Sequence, residues 1–205
     1  MEKYLGASRR EKTFANYFKK DSVVLFPTDT VVGLGCRFDS SVGISRIRSV
    51  KGMMDKKPLA VLLSNPKQLD ILSIRRSRVS NLLMERFWPG GLTIVMTSEK
   101  TFPCSGEGDT LGLRMPDVEL LRRIIDMVGV PLAATSANFH GQPPPSVLEE
   151  VDRSIIKQTD HIIKFDLKPL GLASTVIKVE GGLVKILRQG AISKEEIFDV
   201  VGEKS

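Results

Sequence analysis

A chain of 205 residues with 41% hydrophobic content has enough apolar material for a full core, which excludes a disordered segment. Its 30 Lys plus Arg against 24 Asp plus Glu leave a formal charge of +6, which favours anionic partners. The longest obvious apolar run, Leu59 to Leu63, falls well short of the roughly 18 residues of a membrane span, and the charged stretch Met1 to Lys20 has no signal-peptide core, so the expectation is a cytoplasmic protein with no membrane partner.

Arg9 to Lys20 predicts a surface helix with Phe14, Tyr17 and Phe18 packed along one stripe. Val23 to Phe26 predicts a buried strand that stops at Pro27, which cannot donate to a ladder. Thr28, Asp29 and Thr30 follow on a loop, and Gly33 and Gly35 allow positive φ or close backbone approach. Taken alone, this polar break fits a connector as well as a ligand-facing edge. Ser40 or Ser41 can cap a helix carrying Ile44, Ile47 and Val50 on one face, which delivers Lys51-Gly52 at its C-terminal end. Pro58 to Leu63 predicts a strand, and Arg78 to Phe87 a helix stopped by Trp88-Pro89-Gly90-Gly91. Strands are expected at Leu92 to Thr97, Leu111 to Met115 and Val130 to Ala134, with an amphipathic helix over Asp117 to Val128 ended by Gly129. Ser146 to Lys157 predicts another helix. Ile162 to Phe165, Thr175 to Val179 and Leu183 to Leu187 are the last strands, Gly181-Gly182 marks a hairpin, and Ser193 caps a closing helix. This order predicts one α/β domain over 1–205, with a mixed sheet because it ends in a hairpin.

Cys36 and Cys104 form no CxxC pair and are read as reduced and structural. The cations cluster. Arg75, Arg76 and Arg78, and Arg122 with Arg123, read as solvated faces; Arg46, Arg48, Lys51, Lys56 and Lys57 bracket a glycine ahead of a Pro-led strand and carry more weight.

Four distant segments repeat the chemistry of the Thr28 to Thr30 loop. Thr135-Ser-Ala-Asn138 follows an apolar strand, Ser174 and Thr175 stand at the entrance of another, and Arg114 and Arg188 stand at strand exits with Thr110 at the start of the Arg114 strand. Together they describe a polar, cationic bowl built from strand ends, the common address of a small-molecule site in an α/β protein. It has no Cys/His cluster suited to a metal and no Ser-His-Asp set, and neither His140 nor His161 has an evident carboxylate partner. No GxxxxGK[ST] loop and no strand-borne GxGxxG is present. What remains is chemistry by positioning and electrostatics, as in nucleotidyl or phosphoryl transfer.

Phe-Pro-Thr-Asp-Thr-Val-Val-Gly-Leu-Gly35, Lys51-Gly52, Pro58-Leu59, Phe87-Trp-Pro-Gly90, Leu-Arg-Met-Pro116, Thr-Ser-Ala-Asn138, Ser-Thr-Val176 and Leu-Arg-Gln-Gly-Ala-Ile192 resemble, in order and spacing, the YrdC-like threonylcarbamoyl-AMP synthases. The likeness runs from about Asp21 to Ile192 and matches the short, single-domain form. It implies a twisted mixed α/β sheet, parallel and antiparallel, with flanking helices around a large basic cavity. The activity it implies is a nucleotidyltransferase that joins L-threonine, bicarbonate and ATP, with Mg²⁺, into threonylcarbamoyl-AMP and pyrophosphate. The product would serve threonylcarbamoyladenosine formation in tRNA, with tRNA or tRNA-modifying proteins downstream. By the same resemblance Thr30, Arg114 and Ser174 hold L-threonine, while Lys51, Thr110, Ser136, Asn138 and Arg188 hold the nucleotide and its phosphates. Lys51 and Arg188 are the catalytic candidates. No residue is assigned to a metal.

Three positions depart from the family pattern. Met53 stands where a phosphate-binding Arg is usual, with Lys56, Lys57 and Arg48 as possible replacements; Leu62 stands where many members have His; Pro144-Pro-Ser146 replaces Ser-Pro-Thr. Two other readings compete. A non-catalytic tRNA- or double-stranded-RNA-binding module suits the charge, but no basic-aromatic stacking motif is evident. A related carbamoyl-transfer domain is disfavoured by the absence of zinc-type Cys pairs.

Overall fold

The computed structural model describes residues 8–52 and 57–202; Met53 and Lys56 fall outside the described residues. Capping chemistry sets several element boundaries. Ser8 and Glu11 form a reciprocal capping box that starts α1 (Arg9–Tyr17), and Ser40 accepts from the Gly43 N–H to start α2 (Ser41–Val50). Between them lie β1 (Val24–Pro27) and β2 (Val32–Arg37). The chain continues through β3 (Ala60–Leu62), the short α3 (Gln68–Ile71), α4 (Arg78–Phe87), β4 (Leu92–Thr97), β5 (Thr110–Arg114), α5 (Glu119–Val128) and β6 (Leu132–Ser136). It ends with α6 (Arg153–Lys157), β7 (His161–Ile162), β8 (Thr175–Glu180), β9 (Leu183–Arg188) and α7 (Lys194–Val201). Gly129, at φ 81°, closes α5 in the left-handed conformation, and the β8–β9 hairpin turns on Gly181 and Gly182 at φ 59° and 84°.

All nine strands among the described residues join one sheet in the order β7-β1-β2-β6-β3-β5-β4-β8-β9. It is mixed, as expected: β1/β7, β3/β5 and β4/β8 are parallel, and the other neighbours are antiparallel. Period-2 alternation divides the strands between two faces. Leu92, Ile94, Leu111 and Leu113 face a core shared with Ile44 and Ile47 of α2, Leu83 of α4 and Ile197 of α7. On the opposite face, Phe14 of α1 and Leu121, Ile124 and Ile125 of α5 pack on Val24, Phe26, Leu62 and Leu132. Farther across that face, toward β5, β4 and β8, the alternate residues line a cavity.

One expectation is met in one of its two forms, and one needs correction. Of positive φ and close approach, Gly33 and Gly35 show the second: they sit inside β2, without positive φ, and pair with Ser136 and Ala134. Their small size serves close approach: a Cβ at Gly33 would stand 2.9 Å from the Phe26 ring, and one at Gly35 would stand 2.8 Å from the Ala133 carbonyl oxygen. The helix expected over Ser146 to Lys157 is broken. Val151 is extended at φ −70°, ψ 130°, and the Asp152 side chain caps a new helix from within that stretch by accepting from the Ser154 N–H.

Cys36 and Cys104 are free and buried, and burial pushes both thiols up to about 12, in keeping with the structural role expected of them.

Candidate active site in a two-ended cavity

The cavity measures about 250 Å³. Small residues make its floor, among them Gly33, Gly112, Ala60 and Ala134. Leaving out side chains there opens the space that helices fill elsewhere on the same face. Six of the eight residues expected at the site line it: Thr30, Thr110, Arg114, Ser136, Ser174 and Arg188. Lys51 and Asn138 stand behind its wall.

One end is built around Arg114. The guanidinium has five N–H groups, and three are committed: Nε to the Gly90 carbonyl at 2.9 Å, one terminal nitrogen to Thr30 Oγ1 at 2.7 Å, and the other to Asp29 Oδ1 at 2.6 Å. The Trp-Pro-Gly-Gly breaker after α4 thus supplies an acceptor as well as a helix stop. One N–H stays uncommitted on each terminal nitrogen, which is the fork a carboxylate takes in bidentate fashion. Asp29 and Arg114 are an ion pair with side chains only 12% and 7% exposed. Burial lowers the guanidinium's pKa, and the Asp29 charge and hydrogen bond oppose it.

The loop holding this end is wired through Thr28. Its Oγ1 donates to the Val31 carbonyl at 2.6 Å and accepts from the Thr30 and Val31 N–H groups, and the Thr28 and Thr30 hydroxyls are 3.0 Å apart. From the other side, Leu170 N–H donates to the Asp29 carbonyl at 2.8 Å and Gly171 N–H to the Thr30 carbonyl at 3.0 Å. Gly171 at φ 71° allows the turn. With its hydrogen directed to Thr28 and one lone pair taken by Arg114, Thr30 Oγ1 keeps one lone pair for a ligand donor.

The other end is cationic without compensation. Arg188 donates only to Ser174, through its carbonyl at 2.7 Å and its hydroxyl at 3.3 Å, and no carboxylate pairs with it among the described residues. Burial lowers its pKa, and the nearby charge of Arg114 lowers it further. Ser174 Oγ also lies 2.8 Å from Thr93 Oγ1. Gly190 lets Arg188 sit here: a Cβ would fall 2.2 Å from the Ala173 carbonyl oxygen and 2.6 Å from the Ser174 carbonyl.

Lys51 is not among the residues that line the cavity. As the C-cap of α2 it is 5% exposed, and its ammonium donates to the Ser136 carbonyl at 2.7 Å and to the Asn138 carbonyl at 2.6 Å. Burial pushes its pKa down to about 8, against oxygens that favour the charged form. Asn138 in turn donates to the Phe139 and Gln142 carbonyls. Both residues shape the turn after β6 from behind. Sequence reasoning missed Thr93, whose one signal was a hydroxyl set inside the apolar run Leu92 to Val95. It also left Asp29 as a loop support, without its ion pair.

No group of three or more His, Cys, Asp or Glu among the described residues is placed to hold a metal, and one oxygen of Asp29, the nearest carboxylate, is already on Arg114. This donor set does not build a cation cage. The half-buried Arg37 and Arg46 and the exposed Arg75 each pair with a carboxylate, at Asp39, Asp160 and Glu99, which leaves less free charge for an RNA backbone than the composition alone implies.

The fold and site define an α/β protein whose mixed sheet carries a cavity with one arginine paired to an acid and one without an acid among the described residues. The family model Sua5_yciO_yrdC, described as "Telomere recombination", matches residues 16–190, and the chain belongs to this family. It is 33% identical over 191 residues to threonylcarbamoyl-AMP synthase of Pyrococcus abyssi, covering 92% of this chain and 56% of that protein. To the Bacillus subtilis protein of the same name it is 32% identical over 197 residues, covering 92% and 55%. It therefore spans about half the length of these two curated relatives. A putative threonylcarbamoyl-AMP synthase of Methanocaldococcus jannaschii matches nearly end to end, 25% identical with 94% and 93% covered. The crystal structure of P. abyssi Sua5 complexed with L-threonine superposes with a TM-score of 0.87 at 32% identity, covering 94% of this chain and 57% of that one. E. coli YciO, at 21% identity and a TM-score of 0.81 with 92% of both chains covered, shares the fold.

Proposed function

We propose that this chain is a nucleotidyltransferase that makes threonylcarbamoyl-AMP from L-threonine, bicarbonate and ATP. The observation that carries this reading is the two-ended cavity, with the Arg114 fork beside Thr30 at one end and Arg188, with no carboxylate partner among the described residues, at the other. The names of the relatives and the L-threonine complex of P. abyssi Sua5 support it.

In this reading the threonine carboxylate takes the two free N–H groups of Arg114, and its hydroxyl donates to Thr30 Oγ1. The threonine amine attacks bicarbonate carbon, forming a C–N bond and releasing water to give the N-carboxylate. A carboxylate oxygen then attacks the α-phosphorus of ATP; the new O–P bond forms as the bond to the bridging oxygen breaks, and pyrophosphate leaves with the electron pair. Arg188 stabilises the phosphate charge that builds during this step. Ser174 bridges the two ends, while Thr110 and Ser136 hold the nucleotide. Lys51 and Asn138 act as positioning residues that set the Ser136 carbonyl and the turn after β6. Mg²⁺ enters on the phosphates of ATP, as part of the substrate. The product passes to tRNA-modifying proteins. No helix among the described residues is long and apolar enough to cross a membrane.

Incubating the protein with ATP, bicarbonate and Mg²⁺, with and without L-threonine, and measuring pyrophosphate release tests the reading. Release that depends on both threonine and bicarbonate is expected. Absence of release, with salt-sensitive tRNA binding intact, would overturn it in favour of the RNA-binding module.

A further inference from the structure

Outside the cavity the fold gathers a second group of cations that the site described above does not use. In the sheet, β6, β3 and β5 are neighbours, with Ala60 opposite Ala134 and beside Gly112. Their registers bring the segment entering β3, the turn leaving β6 and the start of β5 to one lip of the cavity, where Pro58, Thr110 and Ser136 line it. Lys57 immediately precedes Pro58, and His140 follows Asn138 by two residues. Lys57 Nζ and His140 Nε2 meet at 3.0 Å across this lip, and both side chains are exposed. An ammonium has only donors, so the imidazole nitrogen accepts.

Behind them Arg48 donates to the Lys57 carbonyl at 3.3 Å and to the Pro103 carbonyl at 3.2 Å, with its Nε buried and unpartnered. The His140 N–H donates to the Lys51 carbonyl at 3.2 Å, which ties the turn to the end of α2. Among the described residues no carboxylate pairs with Arg48, Lys51 or Lys57, whereas Arg37, Arg46, Arg75 and Arg76 each have one. A group of cationic side chains held together without an acid is electrostatically incomplete, and an anion completes it.

We propose that Lys57 and His140 form a subsite for the pyrophosphate moiety, as the outer phosphates of bound ATP and as the released product. The proposal rests on the synthase reading. It gives the leaving group its own cation on the exposed side of the lip, clear of Arg188 and the adenylate. When pyrophosphate arrives it takes the Lys57 ammonium from His140, and the imidazole ring lies beside the bound anion.

The test is titration calorimetry of the full chain with inorganic pyrophosphate, alongside steady-state kinetics. Lys57→Ala and His140→Ala are each expected to weaken pyrophosphate binding by about fivefold, and the pair together by more than either alone. In turnover both should raise KM for ATP while leaving KM for threonine unchanged, and Lys57→Arg should recover most of the loss. Arg75→Ala, which removes the same charge far from the lip, controls for net charge and should change neither value. Both side chains are exposed, so the variants should fold, and their circular dichroism and melting temperature check that. Unchanged pyrophosphate affinity in the double variant overturns the proposal, as does a loss confined to tRNA binding. If wild type binds pyrophosphate through these residues but makes no product from threonine, the subsite stands and the synthase reading falls; the converse result separates them the other way.

Discussion

Arg114 and Arg188 line one cavity but are held in opposite ways. Arg114 has its charge matched by Asp29 at 2.6 Å and its plane fixed by three hydrogen bonds, so it offers a ligand geometry more than net charge. Arg188 rests on Ser174 alone and offers charge. A small zwitterion with one carboxylate suits the first arrangement, and a polyphosphate suits the second. The difference teaches that a cationic site can be divided by where its acids are, with no change in its basic residues.

The comparison breaks most severely at Arg114. Arg114→Met leaves Asp29 buried and unmatched, and is expected to cost about 3–5 kcal/mol of stability together with threonine-dependent turnover. Adding Asp29→Asn should restore much of the stability without restoring turnover, as read by denaturant unfolding and pyrophosphate release. Equal instability of the single and double variants would show that the ion pair is not what holds this end.

Arg188→Ala orphans no acid, so its stability change should stay near 1 kcal/mol while adenylate formation falls by about one to several powers of ten. Turnover unchanged in this variant would remove Arg188 from the proposed chemistry.

Lys51 sharpens the comparison through pH. Its pKa in the folded chain is lowered to about 8 from the ordinary 10.5, so the nucleotide end loses a charge as pH rises through about 8. KM for ATP should then rise severalfold while KM for threonine holds, and Lys51→Arg should flatten that limb. The linkage to stability has the opposite sense. Between about 8 and 10.5 the unfolded chain binds more protons than the folded one, so this group's contribution makes the protein more stable as pH rises through that window.

The smallest expected effect belongs to Thr93→Val, which removes the hydroxyl partner of Ser174 at 2.8 Å. About 1 kcal/mol of stability and a few-fold loss of turnover should follow. Full activity in this variant would make the hydroxyl pair a packing detail.

Much of the fold was legible from local signals. Arg78 to Phe87 and Leu92 to Thr97 match their predicted boundaries, because a serine cap, a Trp-Pro-Gly-Gly stop and a β-branched run act within a few residues. Ser40 as the α2 cap and Gly181-Gly182 as the hairpin turn belong to the same kind. The antiparallel β1–β2 pair was not legible, since Gly33 and Gly35 look like loop residues until Phe26 packs across them. Six of the expected site residues line the cavity because strand alternation sends Thr110, Gly112 and Arg114 to one face and Leu111 and Leu113 to the other. The partners of Lys51 were not legible, since only the approach of the turn after β6 puts carbonyls on its ammonium.

By itself the sequence determined most of the elements, the mixed character of the sheet, the family resemblance and six of the residues that share the cavity, because each follows from periodicity, capping or motif order along the chain. Tertiary structure alone decided which arginine has an acid beside it. Asp29 reaches Arg114 from a loop far away in sequence, no acid among the described residues pairs with Arg188, and burial lowers the proton affinity of Lys51. Such pairings depend on distances through space and on loss of water, and neither is written in the order of residues.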